Sequence, residues 1–485
     1  MVIGNREAVS RSKSLKRSLF VVGGLLGLFV LVAVTARLLV DVDAYKPRLE
    51  AAASDALGMT VLIGGRLGIE FFPGLRVTLE DVHIRNRGAD VLSVEEARMK
   101  IALLPLLHKE VRIRTIALKG PMISIERDQD GRFNFEKVGE ATGTLPALDL
   151  TNVSVVDGTL RYADRQSGEG FDAGGCRLHA HRLRLSGGES TGLGNALSVA
   201  ADVSCREIRT RDFTVSDPAL SVQGNGGVLH LKPVTMRIFG GQGSGSARVD
   251  LSAAIPHVRV DYALSRFRIE EFLKPLLPKK VAEGSMDLSV NLSMQGKTAY
   301  ELKQTAEGEA SLRGDNLTLE GRDLDRQISR YASSQNFNLV DVGAVFFAGP
   351  LGLAVTKGYN FANLFAGKGG SSRIGTFVSD WKVERGVAQA KDVALATNKN
   401  RIALRGGLDF VNDEFADVIV AVIDARGCAT MRQRIRGPFQ KPVVEKPNVL
   451  KSVAGPALKL LKQTGELMRG GSCDVFYAGS VAPPQ

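Results

Sequence analysis

Apolar and polar residues alternate with a period of two along most of this chain, which is the pattern of half-buried β-strands. Val111-Arg112-Ile113-Arg114 and Met122-Ile123-Ser124-Ile125-Glu126 alternate cleanly, and Val77–Arg85 does so imperfectly. The same period predicts strands at Val153–Val156, Thr159–Tyr162, Leu178–Leu185, Leu197–Val203, Gly227–Leu231, Ser244–Leu251 and Val258–Leu264. Gly-rich joints separate them, and strands return at Gly375–Val383, Val387–Ala396, Arg401–Phe410 and Phe415–Ile423. Asp130-Gly131 marks a hairpin between Ile123–Arg127 and Phe133–Phe135. Helical spacing is brief. Asp43 as cap, Pro47 and Gly58 frame one short helix, with Leu49, Ala53, Ala56 and Leu57 on its apolar side. Others are expected around Ile269–Leu277 and Leu324–Ser333, and Asn448–Met468 reads as a closing amphipathic helix broken at Pro456. Many strands in sequence order make an antiparallel meander. Its inward positions are Val, Ile, Leu and Ala, so one face is apolar and has to be covered by helices, a second sheet or a ligand.

One segment breaks the period. Leu19–Ala36 is 18 residues without a charge, and includes Leu19, Phe20, Leu25, Leu28, Phe29 and Leu31. As a helix it spans roughly 27 Å, close to the hydrocarbon thickness of a bilayer. Arg6, Arg11, Lys13, Lys16 and Arg17 precede it. This asymmetry predicts a single-pass anchor with a cytoplasmic N-terminus and the body on the far side. A signal peptide cleaved after Val34-Thr35-Ala36 is the alternative, although cleaved signals usually carry only about 7–15 apolar residues.

The formal net charge is +11, of which residues 1–18 supply +4. The modest remainder fits either a mixed solvated surface or attraction to anionic headgroups. With scattered Lys and Arg and only 6% aromatic residues, nucleic-acid binding is not expected. The four cysteines fit no CxxC spacing. In an oxidising compartment they permit two bridges. Sequence order favours Cys176–Cys205 and Cys428–Cys473 over the two other pairings.

Candidate chemistry is sparse. Gly296-Lys297-Thr298 lacks the first glycine of a phosphate-binding loop, since position 291 is Asn, and reads as a turn. Gly241-Gln242-Gly243-Ser244-Gly245 lacks the last glycine of a dinucleotide fingerprint and reads as a loop. Asp128-Gln129-Asp130-Gly131 opens like a calcium loop, but the twelfth position is Gly139 rather than Glu. His179 and His181 share a strand face with no third ligand in view. No Gly-x-Ser-x-Gly, HExxH or Cys/His nucleophile arrangement occurs. The expectation is a non-enzymatic protein without cofactor or metal.

An ordered set of motifs carries a resemblance. After the apolar run come Asp43-Ala44-Tyr45-Lys46-Pro47, Gly64-Gly65-Arg66-Leu67, Phe71-Phe72-Pro73-Gly74-Leu75 and Leu79-Glu80-Asp81-Val82. Leu103-Leu104-Pro105-Leu106-Leu107, Leu118-Lys119-Gly120-Pro121 and Glu126–Phe135 follow, then Asp341-Val342-Gly343-Ala344, Ala348-Gly349-Pro350-Leu351-Gly352 and Arg426-Gly427-Cys428-Ala429. The chain resembles the AsmA family of Gram-negative envelope proteins, clearly over 40–136 and 305–480 and weakly between. Phe135 stands where Trp is commoner in that family. The resemblance implies an inner-membrane anchor and a periplasmic β-rich body, related to TamB-like and chorein-type proteins whose β-grooves carry acyl chains. It also implies a link to outer-membrane assembly, and it brings no catalytic residues.

The expected fold is mainly β with minor α, a long curved antiparallel sheet forming a groove, with an N-terminal transmembrane helix and a few short helices. It divides into a basic tail (1–18), an anchor (19–40), an N-terminal β region (41–136), a middle meander (137–304, opening on a linker at 137–150) and a C-terminal region (305–485). The expected partners are phospholipid or another acyl lipid, and envelope or outer-membrane assembly proteins. Ile69, Phe71, Val77, Ile113, Ile116 and Leu118 are the candidate groove lining. A groove of about 20 strands spans roughly 95 Å, short for crossing an envelope unaided. A scaffold that binds partners by a strand edge is the competing expectation.

Overall fold

A computed structural model describes residues 42–70, 74–102, 112–136, 148–185, 197–275, 280–321, 323–334, 369–439, 441–445, 448–449 and 473–484. The anchor run with Leu19, Phe20, Leu25, Leu28, Phe29 and Leu31 lies outside them, as do Phe71 and most of the helix expected at Asn448–Met468. Among the described residues no helix is long and apolar enough to cross a membrane.

Among the described residues 25 strands belong to one sheet. β1 (Thr60–Ile63) and β2 (Leu67–Glu70) lie along β3 (Leu75–Asn86), which pairs with β4 (Ala89–Ile101). β5 (Ile113–Lys119) and β6 (Met122–Arg127) lie end to end on β4. β7 (Leu148–Leu150) leads into β8 (Asn152–Asp164), and both pair with β9 (Glu169–Leu185). Here the sheet departs from an antiparallel meander: β8 runs parallel to β5 and β6. β10 (Leu197–Ser204) and β11 (Glu207–Thr210) fill the row between β9 and β12 (Thr214–Asn225). β13 (Val228–Ile238), β14 (Gly241–Asp250) and β15 (His257–Arg268) follow as plain antiparallel neighbours. β16 (Ala282–Glu283) and β17 (Ser285–Gln295) lead to β18 (Glu307–Glu320). β19 (Ser371–Glu384), β20 (Val387–Thr397), β21 (Arg401–Asp409), β22 (Glu414–Ile423) and β23 (Ala429–Pro438) extend the sheet. Two-residue strands β24 (Val443–Val444) and β25 (Asn448–Val449) end it. Several expectations are corrected. Leu148–Leu150 is strand rather than linker, Gly241–Gly245 opens β14 rather than forming a loop, and Asn448–Val449 is strand rather than helix.

Among the described residues four short α-helices flank the sheet: α1 (Lys46–Leu57), α2 (Ile269–Leu273), α3 (Ala299–Gln304) and α4 (Leu324–Ser334). Pro47 sits in the first turn of α1, and Gly58 ends it in the left-handed region at φ 65°. The N-cap falls on Tyr45 instead of Asp43, because a 3-10 turn over Val42–Tyr45 fills the approach. α1 lies against the first edge of the sheet. Glu50 Oε1 and Ser54 Oγ accept the backbone N–H groups of Ile63 and Val61 at 2.7 and 2.8 Å. Ala53 packs on a small cluster of Val61, Val82, Val94 and Ala97, while Leu49 and Leu57, expected on the apolar side, are exposed. α3 escaped the sequence reading. Thr298 caps it by accepting from Glu301 N–H, and Glu301 in turn accepts from Lys297 N–H.

The main core lies at the C-terminal end. Phe267, Met286, Leu317, Ile374, Phe377, Leu395, Ile402, Val420 and Ile435 form one buried cluster, with α2 and α4 adding Leu273, Leu324 and Ile328. The opposite face of β19–β23 is Ala-rich and is covered by the chain's own tail. Phe476, Tyr477 and Val481 bury against Val378, Ala394, Ala396, Ala403 and Ala421. Arg401 donates to the carbonyls of Val481 at 2.8 Å and Asp424 at 2.7 Å. Asp392 accepts from Tyr477 Oη at 2.5 Å and Ser480 N–H at 2.9 Å. A disulfide between Cys428 and Cys473 fastens the start of this tail, and a second joins Cys176 to Cys205.

Candidate functional site

Residues paired directly across neighbouring strands share one face of a sheet. Following the register gives an unbroken apolar row: Ile69, Val77, Met99, Ile116, Val153, Ala180, Ala201, Val222, Leu231, Ala247, Val260 and Leu292. It crosses twelve strands without a polar side chain. The row beside it runs Leu67, Leu79, Ala97, Leu118, Val155, Leu178, Val203, Leu220, Val234, Gly245, Tyr262 and Val290. The parallel junction does not interrupt either row, since Ile116 and Leu118 face Val153 and Val155.

The other face of the same strands is polar and basic. Ser154, His179, Asp202 and Ser221 form one row, and Gln223, His230, Arg248 and Arg259 another. His179 and His181 meet edge to face at 4.4 Å between ring centroids, with Asp202 3.8 Å from His181. Among the described residues no group of three or more His, Cys, Asp or Glu is placed to hold a metal ion.

Burial divides the apolar face in two. Most large side chains between β5 and β14 are half-buried, among them Val153, Leu178, Val203, Leu220, Val222, Leu231 and Val249, while Leu150 and Val215 are buried. Phe267 at the far end of β15 and Met286 of β17 are buried, Leu288, Val290 and Leu292 of β17 stay half-buried, and from β18 onward the large side chains of the same face are buried, with Phe267 and Phe377 each 1% exposed. A glycine strip lies ahead of the division. Gly243 and Gly245 occupy face positions in β14, and a Cβ at either would overlap the Tyr262 ring, which lies along them. The Tyr262 hydroxyl is buried without a hydrogen-bond partner, and that burial pushes its pKa up.

Of the candidates named from sequence, Ile69, Val77 and Ile116 stand in the first row, half-buried. Ile113 reaches the same face through a register shift that sets it opposite Ile101. Leu118 packs on the cluster under α1, and so belongs to that small core. Phe71 lies outside the described residues. The sequence predicts the middle strands and their apolar face, but the candidate lining stops at Leu118 and names no residue from Val153 to Val260. The signal was present as alternation in Leu220-Ser221-Val222-Gln223 and in Val258-Arg259-Val260-Asp261.

Two hollows lie off the apolar face. One of about 1060 Å³ sits at the rim between the β11–β12 turn and α2, bordered by Arg211, Phe213, Arg237, Phe239, Arg268 and Lys274. Its cations are largely matched by Asp212, Asp217 and Glu271. The other, about 420 Å³, is polar and is bordered by Ser289, Ser311, Asp380 and Lys391.

Compared with known proteins, the chain matches the family model described as AsmA family over residues 11–178 and 191–353. The match runs through the middle meander, where the motif resemblance is weak, and stops before β19. No curated protein matches, and no solved structure does.

Proposed function

Because this chain belongs to the AsmA family, whose members act in envelope biogenesis in general, we propose that it holds or transfers lipid acyl chains along its apolar face. The observation that carries the reading is the row from Ile69 to Leu292, apolar across twelve strands, whose larger side chains Val153, Val222 and Leu231 are only half-buried. An open apolar face of this length, backed by a basic one, suits an elongated hydrocarbon partner with a polar end. Among the described residues no helix covers it between β5 and β14. In this reading Leu19–Ala36 anchors the chain in the inner membrane, the body is periplasmic, and the protein is not an enzyme. The exposed Tyr45, Leu49 and Leu57 of the segment just after the anchor suit the membrane surface. Two disulfides suit an oxidising compartment.

The second reading, an assembly scaffold that binds through a strand edge, meets an obstacle at both ends. α1 occupies the N–H groups of β1, and the far edge carries only two-residue strands next to Pro442 and Pro447. Native mass spectrometry of the full-length chain, released from detergent, tests the first reading. Co-purified phospholipid is the expected result, and a lipid-free protein that still complements a deletion strain sinks it. A reporter fused after Gln485 tests the topology: activity restricted to the periplasm is expected, and cytoplasmic activity reverses the orientation.

A further inference from the structure

We infer that the apolar face is blind at its C-terminal end: acyl chains occupy the stretch from β5 to β14 and stop at Tyr262. This rests on the lipid reading above and adds where the lipid path ends. Three observations bear on that end of the face. Upstream of it the face is half-exposed, at Val203, Val222 and Leu231 for example, so hydrocarbon can lie there against side chains already gathered by the sheet. Downstream, Phe267 and Met286 are each 1% exposed, Leu317 and Ile374 are fully buried, and α2 and α4 close over them. Packing of that density leaves no room for an alkyl chain, because entry would require displacing side chains already in close contact. At the boundary the floor loses its side chains at Gly243 and Gly245, and the Tyr262 ring lies in the gap. Its hydroxyl, buried and unpartnered, puts a polar atom into that row, and beyond Val290 the row closes at Ala310 and Trp381, 3% and 5% exposed.

A path closed at one end cannot act as a through-conduit. Acyl chains enter and leave along the open side or at the N-terminal end, where α1 follows the anchor segment.

The chain's only tryptophan tests this, because Trp381 sits beyond the boundary. Tyr262 pairs with Val290, Val290 with Ala310, and Ala310 with Trp381, three rows or about 14 Å. Full-length protein is reconstituted in vesicles of phosphatidylethanolamine and phosphatidylglycerol whose acyl chains carry bromine, a contact quencher of indole fluorescence. Trp381 emission should change by less than about a tenth relative to unbrominated vesicles. The variant Val222→Trp, made in the same background, should lose roughly half of its total emission, the share of the new indole. Quenching of Trp381 overturns the blind end while leaving lipid binding intact. Quenching of neither indole, with lipid still found by mass spectrometry, also overturns it, since the chains then lie elsewhere. Quenching of neither with no lipid bound removes the lipid reading and this inference with it. A melting profile of Val222→Trp matching that of the parent shows that the sheet is unaltered.

Discussion

Tyr262 and Asp392 show opposite fates for a polar atom taken out of water. The Tyr262 hydroxyl has lost its solvent and gained no partner, a loss that typically costs about 1–3 kcal/mol. Tyr262→Phe keeps the ring over Gly243 and Gly245 and removes the cost. Denaturant unfolding should show the variant equal in stability or up to about 1 kcal/mol more stable, and a clear loss would reveal a partner for the hydroxyl. Asp392 is compensated instead. Burial pushes its carboxyl up, but hydrogen bonds from Ser480 and Tyr477 outweigh this and hold it below the usual carboxylate range. A depressed carboxylate stabilises the fold above its unfolded pKa, and the gain is lost as pH falls through the folded value. Protection of Phe476–Val481 against hydrogen exchange should therefore be full at neutral pH and fall below about pH 4. Asp392→Asn should lower protection at neutral pH and abolish that acid step.

Among the elements, the C-terminal tail depends on a covalent tie and a tight turn. The Cys428–Cys473 bridge closes a separation of 45 residues, and losing such a loop closure typically costs about 2–4 kcal/mol. Gly427 stands at φ 84°, and a Cβ there would overlap the Tyr477 carbonyl, so the tail needs glycine at this turn. Cys473→Ser should lower the unfolding free energy by about that amount and expose Phe476 and Tyr477 to proteolysis. An unchanged melting profile would show that noncovalent contacts suffice. The strands themselves were legible because Val, Ile and Leu at alternate positions mark a face. The first half of β14 was not, because glycine marks no face and its inward positions there are Gly241, Gly243 and Gly245, whereas Ser244–Leu251 reads as strand. The parallel step at β8 was not legible either, since strand direction depends on the path of the connection and not on alternation. α3 was legible and overlooked, through its Thr298-x-x-Glu301 box. The most consequential distinction is between Val222 and Val420. Val222 stands between Ser221 and Gln223 and is half-buried, whereas Val420 lies in the unbroken apolar run Val418–Ile423 of a strand packed on both faces and is 0% exposed.

For the whole molecule, that distinction predicts two different failures from one kind of substitution. Val420→Asp places a charge in the closed core and should cost about 4 kcal/mol or more, lowering the yield of folded protein. Val222→Asp places it on the open face and should cost about 1 kcal/mol while reducing co-purified lipid. Comparing melting profiles with lipid content per folded protein separates the two, and equal lipid content in a well-folded Val222→Asp would argue against a path through the middle strands. Because short strands share rows, the 25 strands stack about nineteen deep, on the order of 85 Å at about 4.8 Å per row. β12 to β15 form that stack by simple hairpins, each keeping its face residues in line with the last. Reach in such a design is therefore a ruler graduated in hairpins. One more pair of strands would lengthen it by about 10 Å, with the same helix guarding one end and the same plug sealing the other.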